Sequence, residues 1–103
     1  MSRYNEIRCV NYGVIGRHKT NITHVGLDTL VTYHSTPVVT FDEERVVLNT
    51  GGWFTNTTKL RMNQTANQYN LGFGVYQHKF DWYVSLPNGE TREFTSNTIE
   101  FSR

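Results

Sequence analysis

An α+β fold, with one central helix packed on an antiparallel β-sheet made of two hairpin units, is predicted by three features of this 103-residue sequence. Short β-branched and aromatic runs recur in both halves of the chain, separated by turn-forming residues. Between them, Thr55 to Tyr69 contains neither Gly nor Pro and opens on Thr55, Asn56 and Thr57, residues that cap helices. Aromatic residues reach 14% while the apolar total is 37%, which suits strands built around a few large rings. The length fits one domain, enough to bury roughly two-thirds of the unfolded surface.

Residues 1–25 mix charge, Gly13, Gly16 and short apolar pieces such as Val14-Ile15 without a sustained period. They are expected to form a loosely ordered N-terminal arm with room for one short strand, leaving residues 26–103 as the α+β domain. Leu30-Val31-Thr32-Tyr33 and Val38-Val39-Thr40-Phe41 read as strands on either side of a turn-like His34-Ser35-Thr36-Pro37, in which Pro37 interrupts the ladder. Asp42-Glu43-Glu44 is a polar turn, and Arg45-Val46-Val47-Leu48-Asn49 is the returning strand. Alternation sets Val39 and Phe41 opposite Val46 and Leu48.

On a helical wheel, Thr55, Thr58, Met62, Ala66 and Tyr69 gather on one narrow face, with Leu60, Asn63, Gln64 and Asn67 toward the other. Met62, Ala66 and Tyr69 are therefore expected to pack on the sheet. Asn70 and Gly72 end the helix with residues that tolerate left-handed backbone. Phe73 to Gln77 and Asp81 to Leu86 form a second hairpin around His78-Lys79-Phe80. In Leu86-Pro87-Asn88-Gly89-Glu90, proline presets φ and Asn-Gly supports positive φ. Thr91 to Phe94 then returns, and Thr98 to Phe101 supplies a last short strand after Thr95-Ser96-Asn97.

A net charge of +1 gives no long-range field toward nucleic acid or an anionic membrane, although a local basic patch stays open. No apolar run approaches the roughly 18 residues of a membrane span, and Met1-Ser2-Arg3-Tyr4-Asn5-Glu6 lacks a signal-peptide core. A cytoplasmic protein is expected. Cys9 is the single cysteine, so an internal disulfide and a cysteine zinc site are excluded. His18, His24, His34 and His78 show no i, i+4 pair, and neither a metal nor a cofactor is expected. Without a nucleophile elbow, a motif of paired carboxylates or a cysteine partner for histidine, the chain reads as non-enzymatic.

The most distinctive segment is Thr50-Gly51-Gly52-Trp53 running into the helix. A helix N-terminus offers free N–H groups and a positive dipole end, which suit a phosphate or carboxylate. The candidate ligand- or partner-binding residues are Gly51, Gly52, Thr57, Thr58, Lys59, Arg61 and Asn63. Replacing Lys59 and Arg61 with alanine is expected, on this reading, to remove binding and spare the fold. The spacing is neither a P-loop nor a G-x-G-x-x-G. In the purely structural alternative the glycines form a sharp corner, the threonines cap, and Trp53 anchors the core. In a further alternative Trp53, Tyr76, Trp82 and Tyr83 stack on bases while Arg61 and Lys79 contact phosphates, as in single-stranded nucleic-acid binders.

Thr20-Asn21-Ile22, Tyr33-His34-Ser35-Thr36, Leu48-Asn49-Thr50-Gly51-Gly52-Trp53, Thr57-Thr58-Lys59 and Arg61-Met62-Asn63-Gln64 carry a resemblance that Leu71-Gly72-Phe73, Val75-Tyr76-Gln77 and Leu86-Pro87-Asn88-Gly89-Glu90 continue. Through them the chain, after about Lys19, resembles a group of small proteins encoded by tailed bacteriophages. The resemblance brings no catalytic role. It implies a setting in the host bacterial cytoplasm and a binding protein that modulates a host or defence macromolecule or sequesters a small anionic ligand. A virion or assembly component is the other alternative, and an exposed strand edge leaves a homodimer open.

Overall fold

The structure, a computed structural model, describes residues 14–103. Expectations for residues 1–13, Cys9 among them, lie outside the described residues. The elements are β1 (Thr20–Val25), β2 (Asp28–Tyr33), β3 (Thr36–Phe41), β4 (Arg45–Asn49), α1 (Asn56–Tyr69), β5 (Gly74–His78), β6 (Asp81–Ser85), β7 (Thr91–Glu93) and β8 (Thr98–Ser102). They build an α+β fold with two antiparallel sheets, ordered β1-β2-β3-β4-β8 and β5-β6-β7. The last strand does not stay beside β7. It crosses to the larger sheet and pairs with β4, from Arg45↔Ser102 to Asn49↔Thr98.

The sheet begins earlier than the boundary expected at residue 25. β1 pairs with β2 from Thr20↔Tyr33 to Val25↔Asp28, so that boundary falls at the turn of a regular hairpin. Ile15 is also buried in the core. The segment looked unpatterned because β1 is an edge strand exposed along nearly all its length, with no apolar alternation to display.

The β2–β3 turn is only His34-Ser35, and β3 already includes Thr36 and Pro37. Register slips between Val31 and Thr32, which pair with Val39 and Pro37, so Val38 is the extra residue of a bulge. The bulge allows the neighbouring Val38 and Val39 both to be buried. Val39↔Leu48 and Phe41↔Val46 then pair as the alternation predicts.

Helix α1 is capped by Thr55, whose hydroxyl accepts the Thr58 N–H, and closed by Asn70 in the left-handed region at φ 56°. It touches β2 and β3 of one sheet and β5 of the other. Two walls bury more than a narrow stripe: Met62 and Ala66 are joined by Thr58, Arg61, Asn63 and Thr65. The wheel sets Asn63 toward the face away from Met62 and Ala66. Instead its amide donates to the Val75 carbonyl and accepts the Val75 N–H, both at 2.8 Å. Val31, Val46, Leu48, Met62, Val84 and Phe94 form the driest part of the core, and Phe73 meets Phe101 edge-on at 5.5 Å.

The β3–β4 turn carries a pH dependence. The Asp42 carboxylate accepts the backbone N–H groups of Glu44 (2.7 Å) and Arg45 (2.9 Å). These two bonds, in that order, hold its pKa below the ordinary value of 3.8. A depressed carboxylate pKa stabilises the fold above the unfolded value, and the contribution is lost as pH falls through the folded one. Denaturant titrations of wild type and Asp42→Asn should therefore differ most at neutral pH and converge below pH 3.8.

Candidate functional site

The strand-to-helix corner is a tight turn in which the Trp53 N–H donates to the Thr50 carbonyl at 2.9 Å. Gly51 and Gly52 occupy its centre at φ 62° and 87°. A Cβ on Gly51 would stand 2.7 Å from the Thr36 hydroxyl, so the corner closes only around glycine. Its N–H groups are already used: Gly51 donates to the Asn49 side chain (2.8 Å) and Gly52 to the Thr50 hydroxyl (3.1 Å). The anion cradle expected at Gly51-Gly52 is thus filled from within. Trp53 does not anchor the core either, being 66% exposed. The buried Trp82 and Phe94 take that place, with the partly exposed Phe54 edge-on to Trp82 at 5.1 Å.

Beside the corner lies a cleft of about 340 Å³. The end of β2 and its turn contribute Tyr33, His34, Ser35 and Thr36, while Val38 and Thr50 form its buried part. Thr55 and Thr58 line it from the start of α1, with the exposed Trp53 at its rim. The lining holds hydroxyls, rings and an imidazole, and no carboxylate. The first turn of α1 carries no acidic residue, so its positive end is not neutralised there.

The threonine pair has a proton to spare. The Thr55 hydroxyl oxygen accepts the Thr58 N–H at 3.2 Å and lies 3.1 Å from the Thr58 hydroxyl. Whichever hydroxyl donates in that contact, the other O–H has no acceptor among the described residues. Ser35 and Thr36 likewise form no side-chain hydrogen bond among them. The cleft therefore presents donors.

Of the seven residues expected to form one surface, the fold brings only Thr58 to the cleft lining, with Gly51 and Gly52 shaping the adjoining corner. Thr57 is half-buried outside the lining. Lys59 reaches the smaller sheet, donating to Gln77 at 3.1 Å and lying 5.5 Å over the Trp82 ring. Burial there pulls its ammonium below the ordinary lysine pKa. Asn63 is the buried partner of Val75.

Arg61 is the largest correction, since it is 6% exposed rather than presented at the surface. Its Nε donates to the Thr20 hydroxyl (2.9 Å) and Nη1 to Gln64 (3.0 Å), and the guanidinium lies 5.6 Å from the Tyr33 ring centre. A Cβ on Gly16 would meet Nη1 at 2.6 Å. Gln64 and Gln68 also accept the N–H groups of Gly16 and Ile15. Arg61 therefore fastens residues 15–20 to the helix, and removing it disturbs the fold that the alanine experiment was meant to spare.

The aromatic surface expected for bases does not assemble. Trp82 is buried, Trp53 belongs to the cleft, and Tyr76 stacks on Tyr83 at 5.6 Å. Burial, then the nearby Asp81 and Glu93 carboxylates, push the Tyr83 phenol pKa up, and those carboxylates oppose a phosphate chain. Among the described residues there is no group of three or more His, Cys, Asp or Glu able to hold a metal, and no helix long and apolar enough to cross a membrane.

Sequence reasoning missed Tyr33, His34, Ser35, Thr36, Val38 and Thr50 as cleft residues, and read Thr55 and Trp53 as cap and core. The available signal was Tyr33-His34-Ser35-Thr36, a strand end and turn that also carries part of the family resemblance.

Fold and cleft together define a small α+β protein with a donor-lined recess where strand turn and helix start meet. Residues 6–102 match the family described as Kyanoviridae Gp96 protein, a phage protein family, and the chain belongs to it. No curated protein and no solved structure matches the chain.

The buried amide clasp sets a stability expectation. Asn63→Ala leaves the Val75 N–H and C=O unpaired and should cost about 2–6 kcal/mol, at roughly 1–3 for each abandoned group. Arg61→Ala should also lower the urea midpoint clearly, while Lys59→Ala moves it little. Equal midpoints for the three variants would contradict this assignment.

Proposed function

We propose that the protein is a non-enzymatic binding protein of the infected bacterial cytoplasm, and that its cleft takes up a small anionic ligand. The observation that carries this reading is the recess of about 340 Å³ lined by hydroxyl donors, with Tyr33 and Trp53 on it and no carboxylate. Ser35, Thr36 and the Thr55–Thr58 pair supply three donors to a carboxylate or phosphate. The start of α1 adds a favourable field.

Magnitudes narrow the ligand further. Three hydrogen bonds to a charged group contribute about 1.5–3 kcal/mol each, against an association cost of about 4–15 kcal/mol. Polar contacts alone barely hold a ligand, so contact with Tyr33 and Trp53 has to supply the difference. The ligand class is therefore an acid-bearing molecule with a ring or other flat body. Its sequestration is the proposed effect on the host. A host or defence protein that presents such a group would use the same donors.

Two measurements test the reading. Protein purified from infected cells, once denatured, should release a small acid that mass spectrometry identifies, and Thr58→Val protein should release much less. In a Trp82→Phe background, the released compound added back should change Trp53 fluorescence. Capture by Thr58→Val and Ser35→Ala proteins equal to that by wild type would sink the proposal.

A further inference from the structure

Each of the two open sheets has two edge strands, and the edges of the fold are not equally protected. The free side of β5 is occupied by Asn63, whose amide pairs with both backbone groups of Val75. The β7 edge is three exposed residues, Thr91-Arg92-Glu93, too short and too charged to template another strand. On β8, Glu100 forms an ion pair with Arg45 at 3.1 Å, and its carbonyl receives the Arg92 guanidinium at 3.4 Å. β1 differs from all three. Thr20 to Val25 contains no charged residue, no proline and no bulge, and among the described residues no strand pairs with its outer side.

β1 also exposes apolar surface that a free edge would normally avoid. Val25 is 63% and Leu27, at the hairpin tip, 89% exposed, with Ile22 partly exposed between the polar residues. The bonding pattern follows from the turn. Val25 and Asp28 flank the two-residue loop Gly26-Leu27 and so bond to each other, as do Thr23 and Asn21 with their own partners. Ile22 and His24 are left with their N–H and C=O groups turned outward.

We infer that β1 is a self-association edge, on which two copies of this chain pair antiparallel about a two-fold axis at Ile22 and join their larger sheets into one. Charge selects this partner and this direction. Arg17 and Lys19 precede β1, and Asp28 lies at its far end. Antiparallel pairing sets the cations of each copy beside Asp28 of the other, whereas parallel pairing sets cations against cations. With Ile22 facing itself, Lys19 stands opposite Val25 of the second copy, with Asp28 of that copy one strand further in. Its aliphatic stem covers Val25 while its ammonium reaches the carboxylate. The contact uses no residue that lines the cleft.

An edge pairing of this size lies at the small end of stable interfaces, so the dimer should be concentration-dependent. Sedimentation velocity over a concentration series tests it, with circular dichroism confirming that each variant is folded. Wild type is expected to pass from monomer to dimer. Ile22→Lys, which puts charge on the edge, and Asp28→Lys, which sets like charges together, should each weaken the dimer by roughly tenfold or more. The swapped variant carrying Lys19→Asp and Asp28→Lys should recover most of that loss. A monomer at every concentration overturns the inference and leaves the edge to a strand of another protein. A dimer as tight in Ile22→Lys as in wild type overturns it, and failure of the charge swap to rescue overturns the antiparallel geometry.

Discussion

Everything in this fold depends on α1 being gripped by both sheets at once. A helix on one sheet buries a stripe and leaves its other side to water. Here β2 and β3 stand on one side and β5 on another, so polar positions are drawn inside and must be satisfied there. Asn63 meets this demand by standing in for a strand, pairing with Val75 on the open side of β5. Thr65 meets it by donating to the Arg61 carbonyl at 2.8 Å. The polar character of the helix, which at first suggests a binding surface, is largely the consequence of having two walls and few apolar residues to offer them.

That constraint separates what the sequence disclosed from what it concealed. β4 runs from Arg45 to Asn49 as its β-branched run indicates, and the helix lies between the Thr55 cap and Asn70 as its punctuation indicates. Both signals are local, carried by propensity and capping. The wheel misplaced Asn63 and Arg61 because a wheel describes one buried face. β1 escaped notice because an exposed edge strand needs no apolar alternation, and the partner of β8 was hidden because pairing across half the chain leaves no local trace.

The candidate site was legible only in outline. Thr58 and the glycine corner belong to it or shape it, but the hydroxyl and ring residues of the cleft come from 33–38 as well as 50–58, two stretches brought together by the β3–β4 hairpin. Trp53 and Arg61 exchanged their expected roles, the ring going to the rim and the cation to the interior. Side-chain type misleads here because Gly51 and Gly52, both at positive φ, turn the chain outward before Trp53. Arg61 is buried because Tyr33, Gly16 and two neutral oxygens surround it.

Arg61 nevertheless bears on the cleft, by an indirect route. Its guanidinium lies against the Tyr33 ring, and Tyr33 lines the recess. It also holds Thr20, next to Lys19, whose carbonyl accepts the His34 N–H at 2.7 Å. His34 has φ 58°, a left-handed conformation that a non-glycine residue keeps only when its neighbours enforce it. The chain from Arg61 through Thr20 and Lys19 to His34 is such an enforcement, and it fixes the turn that carries Ser35 and Thr36 into the cleft. Arg61 is thus a positioning residue, acting through Thr20 and Lys19 on the turn and through its contact with the Tyr33 ring on the cleft wall.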